Sequence, residues 1–378
     1  MTTIAFDAKR AFNNFTGLGN YSRLVIDLLH NARPQWNYLL YTPKIKRNAP
    51  VIPALDDRRN KVITPGGPLA GLYGSVWRTW GLTHRLKNDG VSLFHGLSNE
   101  LPLNIHRSGI PSVVTVHDVI FRHFPQYYKP VDRKIYDYKF REACRIATRV
   151  IAISECTKRD IMEFYDIPEA KIDVVYQGCD AQFHDPVSAD DVRRMRELYN
   201  LHNPYIIGVG TVEPRKNQLL TVKALKGLPS DIHAVIVGRN ARGYGDEIMR
   251  YATENGVANR VHMLSGIPFA HFPALYAGAV LSSYPSRFEG FGIPVIESLS
   301  MGTPVIVAKG SCLEEAAGPD APAIDPDDPD AFIHHASQII HSDAVRDRLV
   351  ARGRDYITRF THDNCVEGIL QTYQKALR

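Results

Sequence analysis

The stretch AVLSSYPSRFEGFGIPVIESLSMGTPVIVA, residues 279–308, predicts a complete strand–helix–strand unit. Its apolar opening predicts a buried strand, and RFEGFG predicts a loop. Pro294 suits the first turn of the following helix, because its missing N–H would have no partner there in any case. Gly302 suits the position after that helix, and Pro304 opens the next strand. The stretch therefore predicts a βαβ unit, the repeating element of a doubly wound parallel sheet.

The same alternation of strands and helices continues along the chain and restarts near residue 200. The predicted strands are apolar throughout, as expected when helices cover both faces of a sheet. They cover 3–8, 37–42, 91–96, 112–118 and 149–154 in the first series, with a last strand at the start of 173–186, and 205–210, 233–238, 261–266, 279–286 and 303–308 in the second. We expect two Rossmann-like domains, 1–200 and 201–355, followed by a C-terminal helix over 356–378.

Composition narrows the class of protein. The 378 residues are 44% hydrophobic and 22% charged, and the net charge of +5 is too small to indicate nucleic-acid binding. The five cysteines are dispersed without a CxxC pair, which argues for a reducing compartment and against a zinc site. The N-terminus does not resemble a signal peptide, and no apolar run is long enough to span a membrane. These features predict a cytoplasmic enzyme.

The loop that follows the first strand of the second series carries two cations. In GVGTVEPRKNQLL, residues 208–220, Arg215 and Lys216 lie just before a predicted helix, after Gly210. Cations at a helix start oppose the helix dipole unless an anion lies between them. Arginine, lysine and backbone amides together suit a diphosphate. The alternative is a solvated charge pair on a surface loop.

Two loops of the first series are weaker candidates. Gly17 and Gly19 precede a helix expected to start near Asn20, where exposed amides attract phosphate. A plain tight turn explains the two glycines equally well. His117 ends a central strand, where it can donate to a ligand while Asp118 tunes it. A structural histidine is the alternative.

Two glutamates flank the glycine loop of the opening stretch. Glu289 lies on the loop and Glu297 lies in the helix that follows, so we expect both at the ligand-binding edge of the sheet. Carboxylates accept hydrogen bonds from paired hydroxyls, which suits one glutamate for each of two sugars that flank a diphosphate. The loop residues Gly290, Phe291 and Gly292 belong to the same predicted donor site.

Together these segments closely resemble the retaining glycosyltransferases of family four. The similarity covers nearly the whole chain, and its most specific part is EGFGIPVIE, with two glutamates separated by seven residues. Five other segments resemble blocks of that family in the family's order: FHGLSNELP, VHDVI, SECTKRDI, GTVEPRKN and MGTPVIVAKGS. The resemblance implies the α/β GT-B fold, two Rossmann-like doubly wound parallel-sheet domains with a cleft between them.

The resemblance also implies roles in the second domain. Glu297 would bind the donor ribose and Glu289 the transferred sugar. Lys216 would bind the donor diphosphate with help from Arg215, although many family members have an arginine where this chain has Thr211.

In the first domain, the resemblance implies that His117 contacts the donor sugar. It also implies that Gly17 and Gly19 lie near the donor phosphate and the acceptor.

The implied reaction transfers a hexose from a nucleotide-diphosphate sugar to a glycan or lipid-linked glycan in polysaccharide biosynthesis. GDP-mannose is the expected donor, and UDP-glucose stays open. We expect no cofactor and no metal, because Asp327 and Asp328 in DPDDPDAF are typical of turn and helix-cap residues.

Three other functions remain to be compared. A catalytically inactive nucleotide-sugar-binding subunit would share most of these residues. A Rossmann dehydrogenase needs GxGxxG, which GVGTVE does not match, and a phosphorylase needs a Schiff-base lysine that nothing marks.

The segment 71–87 would touch the inner face of the membrane peripherally, or would pack Trp77 and Trp80 inward.

Overall fold

The computed structural model describes residues 2–66, 70–241 and 243–378, and for residues 70–72 it describes the backbone. The chain divides into two compact units. Unit 1 comprises Met1–Tyr176 and His362–Arg378, and unit 2 comprises Gln177–Thr361. Each unit contains one parallel β-sheet, as the alternation of strands and helices predicts.

Unit 1 contains a seven-stranded sheet in the order β3-β2-β1-β4-β5-β6-β7. The order reverses at β1, which pairs in parallel with β2 on one side and with β4 on the other. The strands are β1 Thr3–Asp7, β2 Asn37–Tyr41, β3 Lys61–Ile63, β4 Leu93–Gly96, β5 Ser112–Val116, β6 Arg149–Ala152 and β7 Ile172–Val174. Successive residues of β1 alternate between two hydrophobic clusters, Ile4 and Phe6 in one and Ala5 in the other. Both faces of this sheet are therefore buried.

Unit 2 contains a six-stranded sheet in the order β10-β9-β8-β11-β12-β13. Its strands are β8 Tyr205–Val209, β9 His233–Val237, β10 Val261–Leu264, β11 Leu281–Tyr284, β12 Val305–Ala308 and β13 Ala323–Ile324. The order reverses at β8, which pairs with β9 and β11. Ligands of such sheets bind beyond the carboxyl ends of the strands at this reversal, and the loop after β8 carries the two predicted cations.

Helices connect the strands in both units. Those of unit 1 are α1 Lys9–Asn13, α2 Gly17–Ala32, α3 Ala70–Val76, α4 Leu82–Asn88, α5 Ile120–His123, α6 Pro130–Ile146, α7 Glu155–Tyr165 and α16 His362–Leu377. Those of unit 2 are α8 Ala189–Leu198, α9 Leu219–Ala224, α10 Tyr244–Glu254, α11 Phe272–Ala277, α12 Ile293–Ser300, α13 Leu313–Ala317, α14 Pro329–His341 and α15 Asp343–Ile357. No helix in these described ranges is long and apolar enough to cross a membrane.

Two edge strands escape the sequence pattern. The strands β3 and β13 contain three and two residues, and each leaves its first residue exposed. Because neither forms a long apolar run, periodicity does not detect them. The strands predicted from apolar runs all appear, with ends shifted by a few residues.

The unit boundary differs from the predicted division at residue 200. Residues 177–200 belong to unit 2, because Phe183 packs against Tyr276 and Phe269, and Tyr199 shares a hydrogen bond with His271.

The predicted C-terminal segment 356–378 is also divided, at His362. Its first residues finish α15 in unit 2, whereas α16 belongs to unit 1 and buries Cys365, Ile369 and Tyr373 in the cluster that contains Phe6.

The helical stretch from α3 to α4 continues through a wider turn at Trp77–Gly81. Its two tryptophans differ, because Trp77 packs against the core of unit 1 whereas Trp80 is 54% exposed. Tyr73 and Val76 are also exposed. Inward packing is therefore correct for one tryptophan and wrong for the other.

Candidate functional site

The loop after β8 brings Lys216 against the backbone. Gly210 has φ +146°, and a Cβ added there would lie 3.7 Å from Lys216 Nζ. Residues Pro214–Lys216 form a short 3₁₀ turn, and Asn217 then adopts a left-handed conformation. The Asn217 amide donates to the carbonyls of Pro285 and Pro326, 3.2 and 2.7 Å away. The turn that carries both cations is therefore tied to the neighbouring loops of unit 2.

Glu289 lies between the two cations. Its Oε2 is 2.8 Å from Arg215 Nη1, and its Oε1 is 2.5 Å from Lys216 Nζ. Arg215 also pairs with Glu213 at 2.6 Å and donates to the carbonyl of Phe288 at 2.7 Å. The structure thus brings Arg215, Lys216 and Glu289 into one cluster, although Lys216 and Glu289 lie 73 positions apart along the chain.

The charge of Glu289 depends on this cluster. Burial alone would raise its pKa, but the nearby charges of Lys216 and Arg215 outweigh burial and lower the pKa to about 2. The side chain is therefore a carboxylate at neutral pH. It neutralises Arg215 and Lys216, which would otherwise be available to an anion.

The loop of Glu289 rests on buried side chains. The Cys312 thiol lies 3.0 Å from the carbonyl oxygen of Glu289 and 2.8 Å from that of Phe291. The Phe291 ring is buried and meets Phe360 edge to face. Gly292 has φ +127°, which a residue with a side chain rarely adopts. Gly290 lies in the same loop. The three predicted loop residues, Gly290, Phe291 and Gly292, therefore directly follow Glu289 and shape the loop that carries it.

Glu297 occupies a different environment on α12. Its side chain is buried, and its Oε2 accepts a hydrogen bond from the Tyr276 hydroxyl at 3.1 Å. The Tyr276 hydroxyl also lies 2.9 Å from that of Tyr284. Burial raises the pKa of Glu297, and the hydrogen bond from Tyr276 lowers the pKa by a smaller amount. The resulting pKa is about 7. No described cation pairs with this carboxyl group.

His117, in unit 1, uses its Nε2 proton within the chain. Its Nε2 lies 2.9 Å from the carbonyl of Leu97, which only accepts, so Nε2 carries the proton and donates there. Burial lowers the pKa of His117 to about 4, so Nδ1 has no proton at neutral pH. The ring is neutral and stacks edge to face on Tyr21. The unprotonated Nδ1 can therefore only accept a hydrogen bond.

The glycine loop of unit 1 also differs from its prediction. The helix α2 begins at Gly17 rather than near Asn20, so both glycines lie in its first turn. A Cβ on Gly19 would clash with the Asn14 carbonyl at 1.9 Å, and the Gly19 amide already donates to the Asn14 side chain at 3.2 Å. Position 19 therefore requires glycine because the backbone of Asn14 packs closely against it. Gly17 has open space around it.

Several contributing residues were not predicted from the sequence. Glu213, Tyr276, Tyr284 and Cys312 contact the predicted residues or their loop. Only Glu213 carried a local signal, since it lies two residues before Arg215.

The acidic run before α14 forms a turn and the start of that helix. Asp328 caps the helix by accepting from the Ala331 amide at 2.9 Å, as predicted, and Asp327 pairs with Arg287 at 2.5 Å. Within the described ranges, no group of three or more His, Cys, Asp or Glu side chains is arranged to hold a metal ion.

Two family models match the chain and together cover most of both units. Residues 22–183 match the model described as Glycosyltransferase Family 4, and residues 192–356 match the model described as Glycosyl transferases group 1. The chain belongs to the group 1 glycosyltransferases of family four.

Relatives of this glycosyltransferase include the O-antigen chain mannosyltransferase B of Escherichia coli. It is 28% identical over 286 residues, 75% of this chain and 74% of the relative. The O-antigen chain mannosyltransferase RfbU of Salmonella typhimurium is 26% identical over 66% of both chains.

Solved structures share the GT-B fold of this glycosyltransferase. Anabaena HepE in complex with UDP and glucose has a TM-score of 0.75 at 20% identity, covering 99% of this chain and 100% of that one. At this identity the likeness establishes the fold alone.

Proposed function

We propose that this glycosyltransferase transfers a hexose, with retention of anomeric configuration, from a nucleotide-diphosphate sugar to a hydroxyl of a glycan or lipid-linked glycan. The observation that carries the proposal is the cluster of Arg215, Lys216 and Glu289 on the loop edge of unit 2, whose side chains are 17%, 20% and 13% exposed. Two cations on a tight loop suit the diphosphate of the donor.

The cluster suggests how the leaving group is stabilised. An incoming diphosphate would replace Glu289 as the partner of Arg215 and Lys216, and the carboxylate would turn to the transferred sugar as positive charge develops there. Electrostatic stabilisation of the departing diphosphate is then the main contribution to catalysis. The acceptor hydroxyl would lose its proton to the leaving phosphate, on the same face of the sugar.

Mannose is the proposed sugar and GDP-mannose the proposed donor. The support is that two relatives are named as O-antigen chain mannosyltransferases. On the same grounds, we propose a role in polysaccharide biosynthesis. In unit 1, Nδ1 of His117 can accept a hydrogen bond from a sugar hydroxyl. We assign recognition of the glycan that receives the sugar to the same unit.

A donor screen tests this function. The protein is incubated with GDP-mannose, UDP-glucose and other nucleotide sugars, and release of free nucleoside diphosphate is measured without and with glycan acceptors. We expect one donor to be consumed, with product of the donor's anomeric configuration by NMR. An inverted product would refute the retaining mechanism.

An inactive nucleotide-sugar-binding subunit is the second candidate. It would bind the same donor without releasing nucleoside diphosphate, even slowly by hydrolysis. The intact cluster of Arg215, Lys216 and Glu289 favours the enzyme, because binding alone needs no carboxylate beside the diphosphate cations.

We propose that no divalent cation takes part in the reaction. The support is that Arg215 and Lys216 supply positive charge where metal-dependent transferases use an ion. Activity should persist in EDTA, and loss of activity that manganese restores would show the proposal to be wrong.

We also propose a cytoplasmic enzyme that touches the inner face of the membrane through unit 1. The support is the exposed stripe of Tyr73, Val76 and Trp80, which are 57%, 58% and 54% exposed on one helical stretch. Vesicles with anionic lipid should sediment the protein. Trp80→Ser should weaken this binding, whereas Trp77→Phe, which keeps a ring packed against the core of unit 1, should not. Equal binding of wild type and Trp80→Ser would contradict the proposal.

A further inference from the structure

Two hydroxyl groups and one carboxyl group, those of Tyr284, Tyr276 and Glu297, form a hydrogen-bonded chain among the buried residues of unit 2. The Tyr276 hydroxyl donates to Glu297 Oε2 at 3.1 Å and lies 2.9 Å from the Tyr284 hydroxyl. A phenol has one proton, and Tyr276 gives it to Glu297. Tyr284 must therefore be the donor in the second hydrogen bond. The other oxygen, Glu297 Oε1, has no hydrogen-bond partner among the described residues.

The three residues come from three different elements. Tyr276 lies on α11, Tyr284 ends β11, and Glu297 lies on α12. Tyr276 is fully buried, and its ring meets Phe183 at a centroid distance of 6.0 Å. Because its ring cannot move without disturbing this packing, its hydroxyl is a fixed donor beside the carboxyl group.

We propose that Tyr276 is a positioning residue for nucleotide binding: it fixes Oε2 of Glu297 and leaves Oε1 to accept hydrogen bonds from the ribose hydroxyls of a nucleoside diphosphate. This inference rests on the proposed function, in which Glu297 binds the ribose. Tyr284 supports it indirectly, by holding the Tyr276 hydroxyl in the orientation that donates to the carboxylate.

The hydrogen bond has a second consequence, because it favours the charged form of Glu297. The groups that face this carboxyl group are Tyr276, Tyr284, Cys179 and Asp180. The phenols stay neutral up to pH 9, since burial raises their pKa values far above 10, and burial raises the pKa of the Cys179 thiol to about 11. The charge of Asp180 raises the pKa of Glu297 and opposes Tyr276. Removal of the Tyr276 hydroxyl should therefore move the titration of Glu297 to higher pH.

The experiment compares two ligands that differ only in the ribose. GDP and 2′,3′-dideoxy-GDP are titrated by calorimetry between pH 5 and 9, with UDP and its dideoxy analogue alongside. Their affinity ratio cancels the ionisation of the phosphate, which both ligands share. For the wild type, this ratio should rise with pH, with its midpoint at about pH 7, and reach a plateau about one pH unit higher, because only the carboxylate accepts from both hydroxyls.

Three tyrosine variants then separate positioning from simple loss of a buried hydroxyl. In Tyr276→Phe the midpoint of the ratio should shift upward by about one pH unit, as expected from loss of one hydrogen bond to a charged group. The plateau should fall a few-fold. Tyr284→Phe should shift the midpoint in the same direction by less. Tyr205→Phe is the matched control, because Tyr205 is equally buried in unit 2 and its hydroxyl donates only to the Leu275 carbonyl at 2.7 Å.

The outcomes distinguish this inference from the proposed function. If Glu297→Gln removes the ribose preference and Tyr276→Phe leaves the midpoint unchanged, the proposed function stands and the positioning role is wrong. An equal shift in Tyr205→Phe would also refute it. If wild-type protein binds neither nucleotide, or does not discriminate the dideoxy analogues, both proposals fail. If Tyr276→Phe does not fold, the direction of the shift in Tyr284→Phe decides.

Discussion

Glu289 and Glu297 lie eight residues apart and both carboxyl groups are largely removed from water, yet they behave in opposite ways. The pKa of Glu289 is lowered to about 2, and that of Glu297 is raised to about 7. Burial acts in the same direction on both. The difference comes from the neighbours: two cations contact Glu289, whereas Glu297 accepts a hydrogen bond from a neutral phenol and the negative charge of Asp180 raises its pKa further.

The comparison teaches that burial alone does not set the charge of a side chain. Removing a carboxylate from water favours its protonated form, and nearby cations reverse this effect when they approach within hydrogen-bonding distance. One short motif therefore supplies a permanently charged group and a group that titrates near neutral pH. The first suits developing positive charge on a sugar, and the second suits hydrogen bonding to hydroxyls.

Glutamine substitutions should produce the largest separation between the two positions. Glu289→Gln should lower kcat by about a hundredfold, on the order of 3 kcal/mol of transition-state stabilisation. It should bind free nucleoside diphosphate at least as tightly as wild type, because Arg215 and Lys216 lose a competing carboxylate. Glu297→Gln should instead weaken nucleoside diphosphate binding by roughly 2 to 4 kcal/mol, through the loss of two hydrogen bonds to a charged group.

Turnover and calorimetric titration of both variants measure this separation. Asp327→Asn is a useful control, since it removes a carboxylate of unit 2 that pairs with Arg287 and contacts neither glutamate. Equal loss of nucleoside diphosphate affinity in the two glutamine variants would contradict the division of roles.

Thermal stability should change in opposite directions in the same two variants. A carboxyl group with a lowered pKa stabilises the fold above its ordinary value of 4.5, and this stabilisation is lost as pH falls towards 2. A carboxyl group with a raised pKa stabilises the fold below 4.5, and this is lost as pH rises through about 7.

At pH 8, Glu289→Gln should therefore lower the free energy of unfolding of unit 2, and Glu297→Gln should raise it. Each pKa lies 2.5 units from 4.5, which corresponds to roughly 3 kcal/mol. Scanning calorimetry at pH 8 and pH 5 measures both effects, and the gain from Glu297→Gln should shrink greatly at pH 5. A lower melting temperature for Glu297→Gln at pH 8 would show that burial of its charge is not the dominant cost.

The smallest effect concerns the loop that presents Glu289. Cys312→Ala removes the thiol between the carbonyls of Glu289 and Phe291, and we expect kcat to fall about threefold, near 0.5 to 1 kcal/mol for one neutral hydrogen bond. Nucleoside diphosphate affinity should not change, because Glu297 keeps its own contacts. Cys144→Ala, at an equally buried cysteine of unit 1, should lower stability without changing kcat. A matching loss of kcat in both variants would remove the special role of Cys312.

The sequence by itself determined the architecture and most members of the candidate site. Apolar strands alternating with helices fix a doubly wound sheet, because only a sheet covered on both faces buries such strands. Glycine spacing and Pro294 locate the loop and the helix of the opening stretch. Local patterns also placed Arg215, Lys216, Glu289 and Glu297 on loops and helix starts at the ligand-binding edge.

Only the tertiary structure decided what each of these groups can do. Charge, tautomer and orientation depend on neighbours that are distant in sequence: the cations of residues 215–216 for Glu289, Tyr276 for Glu297, and the Leu97 carbonyl for His117. The same reason explains the misplaced unit boundary at residue 200, because the packing of Phe183 on Tyr276 leaves no local signal. Electrostatic and packing energies depend on distance in space, and a pattern along the chain records only the order of residues.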